Sequence, residues 1–106
     1  MTPVAAPRPP ELQLEGSIIR TTWGTFGRVI EVQGPFQPDP DVEWWLDRPD
    51  TGGWTIVYED LREGSRRGTK GWINEVFVEG GRIYASPWRD EIWVEKPAEM
   101  QQLVLF

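Results

Sequence analysis

The fold of this chain is decided by one stretch in its second half, WINEVFVEGGRIYA (residues 72–85). Apolar and polar side chains alternate on both sides of Gly80 and Gly81, as they do in strands that bury one face. Two consecutive glycines between such strands indicate a two-residue turn, because a type I′ turn needs a positive φ angle twice. The stretch therefore predicts a β-hairpin.

The rest of the chain has the same β character. Clusters of Pro, Gly and Asp interrupt it at residues 35–40 and 48–53, where the prolines exclude a central strand. No segment repeats apolar residues at the helical spacing i, i+3, i+4, i+7. About six or seven short strands with frequent turns predict a small barrel or sandwich. Outside the hairpin, the predicted strands are residues 17–22, 27–34, 41–47, 54–58 and 91–95.

Alternation along these strands also predicts the core. Trp44 shares a face of its strand with Val42 and Leu46, which marks it as a core residue. We expect a twisted antiparallel sheet that closes on six side chains, namely Trp44, Ile30, Val32, Ile56, Val76 and Val78.

The composition limits the function. The 106 residues suffice for one small domain with tails, not for two cores. The absence of His and Cys removes disulfides, thiolate metal sites and the commonest general base. The acidic residues lack the spacing of a metal loop, and no phosphate-binding glycine motif occurs. We therefore expect a protein that is not an enzyme and has no metal and no cofactor.

The two ends of the chain differ from its centre. Residues 1–12 carry four prolines among small or polar neighbours and predict a disordered arm. Residues 13–95 predict the β domain, and residues 96–106 a flexible tail. Because no signal pattern and no membrane-spanning apolar run occurs, we expect a cytoplasmic protein without a membrane partner.

The tail ends in an apolar peptide, Gln102-Leu103-Val104-Leu105-Phe106. A chain end is usually mobile and solvated, so large apolar residues there suggest a partner. Each apolar side chain would contribute roughly 1.5–3 kcal/mol when buried, before ordering costs.

This peptide resembles the bacterial sliding-clamp-binding motif, whose common form is Gln-Leu-(Ser or Asp)-Leu-Phe. Gln102, Leu103, Leu105 and Phe106 match the motif, whereas Val104 replaces its small polar residue. The resemblance implies a hydrogen bond from the Gln side chain at the clamp pocket and burial of the Leu and Phe side chains in apolar subsites. A final strand packed on its own domain is the alternative.

The body of the chain resembles SH3-like barrels of the Tudor type over residues 16–62. The likeness lies in Gly-Arg-Val-Ile-Glu-Val (27–32), Val-Glu-Trp-Trp (42–45) and Trp-Thr-Ile-Val-Tyr-Glu-Asp-Leu (54–61). Residues 72–95 have no counterpart in a five-stranded barrel and either extend its sheet or supply its last strands. The predicted fold class is all-β, a small SH3-like (Tudor-type) barrel with an added hairpin and flexible termini.

Two tryptophans, Trp45 and Trp93, each stand between acidic residues of a predicted strand. An exposed aromatic ring among carboxylates can receive a cation or stack on a base, and Tudor-type barrels bind methylated Lys or Arg in aromatic cages. The two rings are thus a candidate partner surface. Alternatively, they cover a second small core or pack under a loop.

Positive charge clusters in one place, at Arg62, Arg66, Arg67 and Lys70. These residues are the candidate phosphate contacts if the barrel binds DNA, although a net charge of −6 disfavours general DNA binding. A solvated connection between strands is the alternative.

Together these features predict a non-enzymatic adaptor or inhibitor that docks on the bacterial sliding clamp through its C-terminal peptide. Its barrel would present a surface to a second protein or to DNA. The alternatives are a Tudor- or SH3-like binding module whose C-terminus packs as a strand, and an acidic DNA mimic.

Overall fold

The computed structural model describes residues 8–36, 53–85 and 89–98. These residues form six β-strands, preceded by one short 3-10 helix at Pro10–Leu12. In chain order the strands are β1 (Ile18–Thr21), β2 (Phe26–Phe36), β3 (Gly53–Asp60), β4 (Lys70–Glu79), β5 (Arg82–Ala85) and β6 (Asp90–Lys96).

The six strands close into an antiparallel barrel. Each strand pairs with the next one along the chain, and β6 returns to pair with β1, where Thr21 lies opposite Ile92. Residues 72–95 therefore complete the barrel, which answers the question that the sequence left open. The protein is all-β, and its small closed barrel is consistent with the predicted SH3-like class.

The predicted hairpin is confirmed. Val78 lies opposite Ile83 in the β4–β5 pair, and the turn between the strands consists of Gly80 and Gly81. Their φ angles are 61° and 80°, which glycine adopts without steric cost.

The barrel interior is an apolar cluster to which every strand contributes. Ile56, Val76 and Val78 belong to it as predicted, and Val32 packs against it half-buried. Trp44 lies outside the described residues. The buried members are Leu12, Leu14, Ile19, Val29, Trp54, Ile56, Ile73, Val76, Val78, Ile83, Ala85 and Ile92.

The prediction that Ile30 belongs to the core is wrong, because β2 contains a bulge at this residue. Val29 lies opposite Tyr58 and Glu31 lies opposite Val57, so Ile30 is the extra residue of the strand. A bulge resets the alternation of side chains. Val29 therefore faces the core, while Ile30 is 44% exposed.

A second bulge lies in β4, on the other side of β3. Trp54 pairs with Val76 and Ile56 with Ile73, so β4 uses three residues where β3 uses two. Glu75, within the bulge, has a φ angle of 61°. Both Ile73 and Val76 consequently face the core, which strict alternation excludes.

Two predicted boundaries also change. Pro10–Leu12 belong to the folded domain and not to an extended arm, because Leu12 is fully buried in the core. Pro35 and Phe36, predicted to lie in a loop, are the last residues of β2. Residues 1–7 and the predicted strand at 41–47 lie outside the described residues.

One side chain, Tyr58 of β3, covers a glycine on each neighbouring strand. A Cβ atom on Gly27 of β2 would lie 2.5 Å from Tyr58 Cδ2 and 2.8 Å from the Glu59 carbonyl oxygen. A Cβ atom on Gly71 of β4 would lie 2.5 Å from the Tyr58 hydroxyl oxygen. The ring thus fills the space that two missing side chains leave beside the core, as in aromatic rescue of strand glycines.

We expect Gly71→Ala to lower the free energy of unfolding by about 1–3 kcal/mol, because the new methyl group overlaps the Tyr58 ring. In a Tyr58→Ala background the same change should be neutral or stabilising, since alanine suits a strand better than glycine. Gly27→Ala is the matched control, because its overlap with the Glu59 carbonyl remains in that background. Urea denaturation of the four Gly71/Tyr58 combinations measures the coupling, and additive effects would contradict the contact.

Candidate functional site

The connection between β3 and β4 carries the predicted basic cluster, and a buried carboxylate organises it. Asp60 is 4% exposed and accepts hydrogen bonds from the Arg62 backbone N–H (2.8 Å) and from Arg62 Nη2 (2.6 Å). The hydrogen bonds from the Arg62 side chain and backbone lower the pKa of Asp60. Arg62 is therefore committed to the fold of the connection.

Arg67 is also bound within the connection. Its Nη1 donates to the Leu61 carbonyl (2.7 Å) and lies 3.8 Å from Glu63 Oε1. Backbone bonds close the same turn, since the Gly68 N–H donates to the Asp60 carbonyl (2.7 Å). This segment is thus an ordered turn, in which two of the four predicted phosphate contacts have internal partners.

Arg66 and Lys70 differ from the other two cations. Both residues are exposed, and neither side chain makes a hydrogen bond or ion pair within the described part of the chain. Lys70 begins β4, opposite Glu59 of β3. Glu59 in turn lies opposite Arg28 of β2, with Arg28 Nη1 3.9 Å from Glu59 Oε1.

The same side of β4 carries an aromatic ring that the sequence analysis missed. Trp72 is 58% exposed, the highest value among the large apolar side chains of the described residues. It lies two positions after Lys70, and side chains two apart on a strand share a face. Its neighbour across the sheet, Val57, is 4% exposed. We use the name Trp72 face for four residues, namely Lys70 and Trp72 on β4, Arg28 on β2 and Arg66 on the turn before β4.

Strict alternation explains why Trp72 was missed. It places Trp72 on the same side as Val76 and Val78, in the predicted core. The bulge in β4 reverses this assignment for the residues before it. The only local sequence signal for this surface is a cation, Lys70, two positions before an aromatic residue, Trp72.

Trp93 is 40% exposed on β6, in agreement with its predicted position among charges. The neighbouring carboxylates, however, already have cationic partners. Arg20 Nε donates to Glu95 Oε1 (2.6 Å), and Arg82 Nη1 lies 3.7 Å from Glu91 Oε1. The carboxylates around Trp93 are therefore largely neutralised from within the barrel.

The remaining predicted site residues lie outside the described residues. They are Trp45 of the candidate partner surface and the candidate clamp contacts Gln102, Leu103, Leu105 and Phe106. The clamp contacts and the shared surface of Trp45 and Trp93 therefore remain predictions.

No protein-family model, curated protein or solved structure matches the chain. Among residues 8–36, 53–85 and 89–98, no three acidic side chains are grouped so that they could hold a metal ion. The helical content of the same residues includes nothing long and apolar enough to span a bilayer. What these residues do present is a sheet surface with an exposed ring and two cations that lack ion pairs.

We expect Asp60→Asn to reduce the loss of stability in acid. Because hydrogen bonds hold the pKa of Asp60 below its ordinary value of 3.8, its carboxylate stabilises the folded state above the unfolded pKa. That contribution disappears as the pH falls through the folded pKa. Melting temperatures should show the variant less stable than the parent at pH 7, with the gap narrowing as the pH falls below about 4.

Glu63→Gln is the matched control for this titration, because the Glu63 side chain is 97% exposed on the same connection. It should leave the melting temperature at pH 7 nearly unchanged, because an exposed ion pair contributes little to stability. Parallel profiles for the parent and Asp60→Asn would show that the Asp60–Arg62 contact does not stabilise the fold.

Proposed function

We propose that the protein is a non-enzymatic adaptor or inhibitor that docks on the bacterial sliding clamp through Gln102-Leu103-Val104-Leu105-Phe106 (the clamp peptide). The observation that carries the proposal is the match of this peptide to the clamp-binding motif at four positions. Such a peptide orders on binding, and a few apolar anchors supply most of the affinity.

The path of the chain after β6 supports the proposal. The Ala98 N–H donates to Ser17 Oγ (3.2 Å), which attaches the chain to the start of β1. From Ala98 to Gln102 the chain reaches at most about 14 Å, at 3.3–3.6 Å for each residue. A clamp bound to the peptide would thus lie close to this end of the barrel.

Barrel closure argues against the alternative in which the clamp peptide forms a further strand. β1 pairs with β2 and β6, and β6 pairs with β1 and β5, so each already has two partners. Where β2 continues past its pairing with β1, the N-terminal segment covers its edge, because the Gly16 N–H donates to the Val29 carbonyl (2.8 Å). A strand needs a free edge on which to pair, and closure removes it at the place where the tail leaves.

The DNA-mimic alternative requires carboxylates that remain available to a partner. Many acidic residues of the described part of the chain instead lie within 4 Å of an arginine, which reduces the negative field that a mimic needs. These acidic residues are Glu15, Glu59, Asp60, Glu63, Glu79, Glu91 and Glu95.

We expect the full chain to bind a purified bacterial sliding clamp with micromolar affinity, or roughly −8 kcal/mol, because a flexible peptide loses ordering entropy on docking. Phe106→Ala and Leu105→Ala should weaken binding most, since they remove pocket-filling groups. Gln102→Ala should cost about 0.5–1.5 kcal/mol, as expected for one hydrogen bond. Isothermal titration calorimetry measures each affinity.

Val104→Asp is the matched control, because it changes the one position that departs from the motif. It should retain or improve binding, and all four variants should keep the parent melting temperature. The absence of a calorimetric signal at high micromolar clamp would refute the proposal. A large drop in melting temperature for Phe106→Ala would instead support a tail packed on its own barrel.

A further inference from the structure

We propose that the Trp72 face binds single-stranded nucleic acid, with a base stacked on Trp72 and backbone phosphates on Lys70 and Arg66. The inference is independent of clamp docking, because it uses only residues of the barrel. It also reduces the predicted phosphate contacts to Lys70 and Arg66, because Arg62 and Arg67 have partners within the connection.

Trp72 supplies an exposed aromatic ring to this surface. A 58% exposed indole on a regular strand keeps a large apolar surface in water, although the core lies on the other side of the same sheet. The ring lies opposite Val57 on the outer side of the sheet, and neither side chain belongs to the core cluster. Exposed aromatic rings serve as stacking platforms for the bases of single-stranded nucleic acids.

The distribution of charge around Trp72 also supports the proposal. In the connection that leads into β4, Asp60 pairs with Arg62 and Glu63 lies near Arg67. Lys70 and Arg66 remain without an ion pair in the described residues, on the same strand as Trp72 and on the turn before it. Phosphate groups therefore find one accessible cation two positions before the ring on β4 and a second on the turn that leads into this strand.

Two acidic residues weaken the positive field. Glu59 lies between Lys70 and Arg28, with Arg28 Nη1 at 3.9 Å, and Glu31 lies on β2 beyond Val57. We therefore expect weak binding that is sensitive to salt and tolerant of sequence. With two phosphate contacts, the slope of log K against log[salt] should be about −1.4 for a single strand.

A single strand fits this surface better than a duplex does. A duplex hides its base faces in the stack, so a lone ring on a sheet would gain no contact with them. The two cations alone would then bind duplex weakly, because affinity for duplex depends on the number of neutralised phosphates. An unpaired base adds the stacking contact that distinguishes the two ligands.

The test is fluorescence anisotropy with a labelled oligothymidylate and the full-length protein, at low salt and across a salt series. Trp72→Ala should weaken binding roughly 5- to 150-fold, the range for one base–aromatic stack. Trp72→Phe, which keeps an aromatic face, should fall between the parent and Trp72→Ala. Lys70→Ala and Arg66→Ala should each weaken binding and reduce the salt slope by about 0.7.

The barrel offers matched controls. Trp23→Ala removes another exposed tryptophan, between β1 and β2, and Arg82→Gln removes a cation that pairs with Glu91. Both should change the affinity by less than about two-fold, the scatter expected away from a stacking contact. Melting temperatures confirm that each variant is folded.

The proposal is overturned if the parent shows no saturable binding at low salt, or if Trp23→Ala weakens binding as much as Trp72→Ala. Equal affinity for a duplex of the same length would also overturn it, because stacking would then contribute nothing. Phe106→Ala should leave oligonucleotide binding unchanged, and Trp72→Ala should leave clamp binding unchanged. Failure of one proposal is thus distinguishable from failure of the other.

Discussion

The β-bulges at Ile30 and around Glu75, on either side of β3, are the constraint on which the rest of the structure depends. A closed barrel of six short strands needs strands that bend and coil, and a bulge supplies both at the position of one extra residue. The bulge in β2 lies at Ile30 and that in β4 around Glu75, so they bend both neighbours of the same central strand. These bulges determine which side chains of β2 and β4 face the core, so that Val29 lies in the core and Trp72 on the surface.

Arginine–carboxylate pairing determines what the surface can offer to a partner. The chain is acidic, with a net charge of −6, yet the ion pairs of the described residues distribute its charge unevenly. Around Trp93 the pairs satisfy the flanking carboxylates, whereas on the Trp72 face they leave Lys70 and Arg66 accessible. Trp72 and Trp93 therefore stand in different electrostatic surroundings, although the sequence places each near charged residues.

The two proposed binding regions are connected across the sheet. Lys96, where the chain leaves β6, lies opposite Ile18, which lies opposite Arg28. The same row continues through Glu59 to Lys70, the first residue of the Trp72 face. With about 4.8 Å between neighbouring strands, roughly 19 Å separate Lys96 from Lys70 around the barrel. A partner bound by the tail and a nucleic-acid strand bound by the Trp72 face would lie on adjacent sides of one small domain.

Local sequence signals determined the all-β class, the Gly80–Gly81 hairpin, most strand positions and the exposure of Trp93, because turns and alternation depend on neighbouring residues. The clamp peptide, too, is a property of the sequence alone. Only the tertiary structure decided the closure of β6 on β1, the two bulges, the burial of Leu12 and the exposure of Trp72. It also decided which of the four clustered cations remain accessible. These features arise from contacts between residues far apart in the chain. The buried side of a strand is predicted from the alternation of its side chains, and a bulge of one residue reverses that alternation.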